Sequence, residues 1–168
     1  MITDAFLQDL VTCPKKSSSL KQARFSIKNR SRRCNILCSS VDGTYQFEIF
    51  LRQSTEFIED FSVGLIWKNA SSDGSTLPEC ILIRCQGPHD GKEELGSDLH
   101  HTFHTHTLTS TDVHEHRYKK PSKRESTDHF ASFEQAIQFF EAHCHVPGLS
   151  SVSPNSNILQ LTLDNYEI

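Results

Sequence analysis

The densest chemistry in the chain is the run His100-His101-Thr102-Phe103-His104-Thr105-His106. On a β-strand, alternate residues share a face about 6.5–7 Å apart, so His100, Thr102, His104 and His106 line one side. Phe103 then points to the other side, toward a core. Imidazoles spaced in this way support three readings. An HxH pair with one further ligand suits Zn or another divalent metal, with His100, His104 and His106 as the set and His89, His114 and His116 as other sources. Two imidazoles can also exchange protons near neutral pH. The bland alternative is a polar face turned to solvent.

A second constellation is Arg84-x-x-Gly87-Pro88-His89-x-Gly91. A strand ending in arginine and followed by a Gly-Pro turn places a fixed cation and a titratable ring at one sheet edge. A guanidinium fork suits phosphate, and the ring can move a proton. Arg52 joins them if its strand is adjacent. An ordinary turn beside an exposed edge charge is the plain alternative. No G-x-S-x-G elbow, phosphate-binding P-loop or G-x-G-x-x-G occurs, which removes the hydrolase-triad, NTPase and dinucleotide classes. His143-Cys144-His145 reads as the cationic end of a helix.

Formal net charge is −4, but the cations are clustered. Lys21, Arg24, Lys28, Arg30, Arg32 and Arg33 fall within one acid-free stretch. Arg117, Lys119, Lys120, Lys123 and Arg124 fall within another that holds only Glu115. If the two segments meet in space they form the electrostatic footprint of a nucleic-acid site; otherwise they are solvated loops.

The elements that must position these groups follow from periodicity. Residues 3–13 read as a helix with Ala5, Phe6, Leu10 and Cys13 on one side, closed by Cys13-Pro14. Period two then predicts strands at Cys34–Val41 and Tyr45–Arg52, joined across Asp42-Gly43. Further strands are expected at Phe61–Trp67, at Cys80–Cys85 with Ile81 and Ile83 inward, and at Leu99–Leu108. Asp112-x-x-Glu115 suggests a capping box for a short helix ended by Pro121, and Ser132-x-x-Gln135 opens a longer one with Phe133, Ala136, Ile137 and Phe140 as its apolar stripe. The expected fold is α+β: an antiparallel meander of about five strands, an N-terminal helix and one or two C-terminal helices. Residues 1–146 form one domain. Residues 147–168 follow as a linker and a strand or arm, Ile158–Ile168, able to add to a partner's sheet.

Hydrophobic residues are 36% and charged residues 23%, with a mean hydropathy of −0.46. This composition excludes a membrane-embedded or wholly disordered chain. Six cysteines without an export-type leader point to reduced thiols in the cytoplasm, serving as core fillers.

Taken in order, Leu51-Arg52-Gln53-Ser54, Asp60-Phe61-Ser62-Val63-Gly64-Leu65, Arg84-x-x-Gly87-Pro88-His89-x-Gly91, the His104/His106 pair and Glu125-x-Thr127-Asp128-His129-Phe130 resemble a family of small bacterial and phage proteins without established chemistry. The similarity runs over roughly residues 3–146. A weaker similarity, through Arg84, Pro88, His89, His101, His104 and His106, links the chain to TumE-type toxins, proposed ribonucleases of toxin–antitoxin pairs. This chain carries His89-Asp90 where those toxins carry a His pair. The resemblance implies a toxin- or defence-type protein that cleaves RNA without a metal. His89, His104 and His106 would then supply acid and base, Arg84 and Arg52 would stabilise the phosphorane, and the two basic segments would track the RNA. The rival expectations are a non-enzymatic antitoxin, inhibitor or regulator that binds a protein partner through Ile158–Ile168, and a His-metal enzyme.

Overall fold

The structure, a computed structural model, describes residues 1–68, 77–89, 101–152 and 154. Helix α1 (Asp4–Thr12) is capped by the Thr3 hydroxyl, which accepts from the Phe6 amide, and ends at Cys13. It buries Leu7, Leu10 and Val11; Ala5 is exposed, so the apolar stripe is rotated from the one the sequence suggested. Then come β1 (Lys15–Lys16), β2 (Ser26–Lys28), β3 (Ser31–Ser40), β4 (Gln46–Ser54), β5 (Phe61–Trp67), β6 (Cys80–Gln86) and β7 (His104–Thr107). Helix α2 (Ser110–His114), β8 (Lys123–Ser126) and α3 (Phe133–His143) complete the regular elements.

All pairings are antiparallel, and the sheet runs β1-β3-β4-β5-β6-β7-β8, with β2 also on β3. The α+β meander is therefore as expected, but with eight strands among the described residues rather than five. The additional ones carry no apolar alternation: β1 is two lysines, and every residue of β2 and β8 is exposed. The fifth expected strand is shorter than its Thr- and His-rich run, since β7 begins only at His104.

Helices α1 and α3 cover one face, α3 over β5 and β6 and α1 over β6. That face collects Cys34, Ile36, Cys38, Phe47, Ile49, Leu51, Phe61, Val63 and Leu65, with Phe133, Ala136, Ile137 and Phe140 from α3. A register shift between Leu65 and Ile66 breaks the alternation of β6. Leu82 and Ile83 are both buried as a result, while Ile81 is only half-buried, correcting the expectation that Ile81 points inward. Five of the six cysteines are buried and all are free thiols, which fits core fillers. The core also reaches past residue 146, because Leu149 and Val152 are buried beside α3.

One buried cation holds the helices together. Lys15 is 2% exposed, and its Nζ donates to the carbonyls of Val11 (2.7 Å), Cys13 (2.9 Å) and Cys144 (3.0 Å). These are last-turn and capping carbonyls of α1 and α3, which lack intrahelical partners and carry the negative end of each helix dipole.

The capping residues of α2 differ from the expected box. The Thr109 hydroxyl accepts from the Asp112 amide, and Asp112 accepts back from the Thr109 amide. The helix ends at Glu115, before a left-handed His116, rather than at Pro121. For α3 the Ser132 cap is as expected, accepting from the Gln135 amide.

Candidate functional site

The face of the sheet opposite the helices carries the chemistry. Register puts its residues in two rows across the strands. One row is Arg33, Arg52, Ser62, Gln86, His104 and Ser126; the next is Asn35, Phe50, Gly64, Arg84, His106 and Arg124. Four guanidiniums therefore share this face, as two cross-strand groupings: Arg33 with Arg52, and Arg84 with Arg124 either side of His106. The charges feel one another. Burial and then Arg124 lower the pKa of Arg84, and burial and then Arg33 lower that of Arg52. Among the described residues none of the four has a carboxylate within ion-pair distance. The Nε atoms of Arg33 and Arg84 are buried without a hydrogen-bond partner.

Phe50 lies between these groupings. The far edge of its ring fills the space that a Cβ on Gly64 would occupy, at 2.1 Å, so only glycine fits there. The Arg52 guanidinium sits 5.6 Å from the ring centroid, a cation–π distance.

The imidazoles follow one another in tilted contacts. Ring centroids of His89 and His104 are 5.4 Å apart, and those of His104 and His106 are 4.9 Å apart. Each ring is oriented by its own carbonyl: His89 Nδ1 by Gly87 at 3.0 Å, His104 Nδ1 by Thr102 at 2.8 Å, and His106 Nδ1 by Pro121 at 3.4 Å. A carbonyl only accepts, so Nδ1 carries the proton in each and Nε2 carries the lone pair. His106 Nε2 has no hydrogen-bond partner. Burial first, then Arg84 and His104, push the His106 pKa down to about 3, so the ring is neutral at pH 7. The pairing of period-two residues on one face is as the sequence predicted. Their accessibility is not: His104 is 0% and His106 3% exposed.

The Pro121 carbonyl is held by a buried hub. Asp112 is fully buried and accepts from the amides of Thr109 and Ser122, both at 3.0 Å, and from Arg117 Nε at 2.9 Å. Burial raises its pKa, but the hydrogen bonds from Ser122, Thr109 and Arg117 outweigh that and hold it at about 2. Arg117, expected among the nucleic-acid contacts, is thus tied to Asp112 and also to Glu115.

A cavity of about 660 Å³ opens at the adjoining end of the sheet. Arg52, Ser62, Gln86, His89 and His101 line one side, and Glu56, Glu59 and Asp60 another. It thus brings together two of the predicted catalytic residues, His89 and Arg52, with the exposed His101; Arg84, His104 and His106 do not line it.

The two basic segments do not meet as loops: β3 is next to one edge of the sheet and β8 forms the other. What joins them is the open face, through Arg33 and Arg124. The remaining predicted contacts are dispersed. Arg24 bonds the carbonyls of Lys21 and Ala23, Arg30 pairs with Glu56 at 3.2 Å, and Arg32 bonds Gln53. Lys28 is exposed on β2, Lys119 and Lys120 are exposed before β8, and Lys123 lies 3.5 Å from Glu125. Sequence reasoning missed Phe50, Gly64 and Asp112, whose roles depend on register and on a long-range carboxylate hub. Among the described residues no three His, Cys, Asp or Glu side chains are placed to hold a metal. His100, Asp90, Gly91 and Ile158–Ile168 lie outside the described residues. No helix among the described residues is long and apolar enough to cross a membrane. No family model, curated protein or solved structure matches the chain.

Proposed function

We propose that the protein binds RNA on the open face of its sheet. The observation that carries this reading is the set of four arginines on one face with no carboxylate partner among the described residues. Guanidiniums that no carboxylate neutralises retain donors for phosphate oxygens, although Arg52 commits Nη1 to the carbonyls of Cys34 and Leu51. The test uses a fluorescent single-stranded RNA with hydroxyl ends and anisotropy titration. R52Q with R84Q should weaken binding at least tenfold while the circular dichroism spectrum stays native. Unchanged affinity in that folded variant, or no binding by the native chain, overturns the reading.

Cleavage of the bound RNA is a second reading, favoured by one specific observation: His89, His101 and Arg52 line a single cavity beside this face. One imidazole would take the proton from a ribose 2′-hydroxyl as that oxygen attacks the adjacent phosphorus. The other would protonate the departing 5′-oxygen, leaving a cyclic phosphate, with Arg52 beside the phosphorane. Burial of His104 and His106 moves the acid–base roles from that pair to His89 and His101. Cleavage in excess EDTA by the native chain, abolished in H89A and H101A, supports this; cleavage that survives H89A sinks it. The acidic wall of the cavity opposes phosphate, which is why binding is assigned to the open face.

A further inference from the structure

The row Arg84–His106–Arg124 has a specificity that charge alone does not give. The three residues sit directly opposite one another on β6, β7 and β8. Two strand spacings, roughly 9–10 Å, separate the outer backbones, a span that two arginine side chains can close over the central ring. Among the described residues the Arg84 guanidinium has no hydrogen bond and no ion pair, and neither has that of Arg124 on its exposed edge strand. Between them, His106 is 97% buried, with Nδ1–H committed to the Pro121 carbonyl and Nε2 unpartnered. A ligand that reached this enclosed ring would meet donors on both flanks and an acceptor in the middle, Nε2 itself being closed off from solvent in the structure. It must be an anion that itself carries a proton.

We propose that Arg84, His106 and Arg124 form a seat for a protonated phosphate group, either inorganic phosphate or a phosphate monoester. The guanidiniums take the unprotonated oxygens, and the P–OH donates to His106 Nε2. Sulfate has the same shape and charge but no proton at neutral pH, so its fourth oxygen would face the lone pair of a buried nitrogen. An internal phosphodiester also lacks the proton, so it meets the two guanidiniums from outside, one phosphate to each, without bonding His106 Nε2. Resting on the RNA reading above, the seat takes a terminal phosphate of the bound strand.

The experiment is calorimetric titration of the full chain at pH 7 with inorganic phosphate and, separately, with sodium sulfate at matched ionic strength. Phosphate should bind at least tenfold more tightly than sulfate, and R124Q, on an exposed edge position that folding does not need, should lose at least tenfold in phosphate affinity. Equal affinity for the two anions, or phosphate binding indifferent to R124Q, overturns the seat. The nitrogen resonance of His106 Nε2 supplies a readout that needs no variant: it should move on adding phosphate and stay in place with sulfate. Hydroxyl-ended RNA separates the two claims. RNA binding without phosphate binding removes the seat and leaves the RNA reading, whereas phosphate binding without RNA binding does the reverse.

Discussion

A histidine that is neutral and enclosed at pH 7 makes the stability of the fold depend on acid. His106 has a folded pKa of about 3 against an unfolded value near 6.5, its burial and Arg84 disfavouring the charged ring. Below pH 6.5 the unfolded chain takes up a proton that the folded chain refuses, so stability falls as pH falls, until the folded ring titrates near pH 3. One unit of separation is worth about 1.4 kcal/mol, so moving from pH 7 to 5 should cost about 2 kcal/mol from this residue. Urea unfolding at the two pH values measures it. H106Q should remove most of the difference, and a variant that keeps all of it would show the assignment to be wrong. His143, whose pKa is lowered by burial and by His145, His129 and Lys15, acts with the same sign, so H143Q is the control.

The hairpin of β2 and β3 shows what a short element does for the site. Its turn places Asn29 at φ 51° and Arg30 at φ 58°, the two consecutive left-handed residues of a tight hairpin. Asparagine tolerates that conformation, but arginine has no such advantage, and the cost is about 1 kcal/mol. The position is held because the Arg30 carbonyl accepts from both the amide and the hydroxyl of Thr55, 3.0 Å each, and its side chain pairs with Glu56 at the cavity rim. An exposed pair of this kind contributes less than about 0.5 kcal/mol. R30G should therefore raise stability by about 0.5 kcal/mol, read as a higher urea midpoint; a fall would mean the ion pair outweighs the strain. Elements of this kind were the illegible part of the sequence. Strands β4 and β5 were readable because Phe47, Ile49 and Leu51 and then Phe61, Val63 and Leu65 alternate over a continuous core. Strand β8 was not, since nothing in Lys123–Ser126 is buried and only its partner β7 defines it. The site divides in the same way. Period two put His104 and His106 on one face, but their enclosure comes in part from the segment that ends at Pro121, held by Asp112, contacts that no local pattern encodes. The row of Arg84, His106 and Arg124 needed the register of three strands, which the connecting segments set.

At the scale of the whole molecule, an acidic protein that binds a polyanion must do so with a local field, and a local field has a countable number of charges. The net charge of −4 repels RNA at long range, while the four open-face arginines attract it within about one Debye length, roughly 8 Å at physiological salt. Each phosphate they neutralise releases counterions, and for a single strand the slope of log affinity against log salt is about −0.7 per contact. If Arg33, Arg52, Arg84 and Arg124 each hold one phosphate, the slope should be close to −3. R33Q and R124Q, at the two ends of the face, should each reduce its steepness by about 0.7, and together by twice that, because the residues lie five strands apart and share no partner. Lys119, in the exposed turn before β8, is not among the four arginines and its charge acts on Glu79, so K119Q should leave the slope unchanged. Anisotropy titrations from 50 to about 300 mM salt distinguish the outcomes. A slope that responds equally to K119Q and R124Q would mean that RNA is held by diffuse charge rather than by the sheet face.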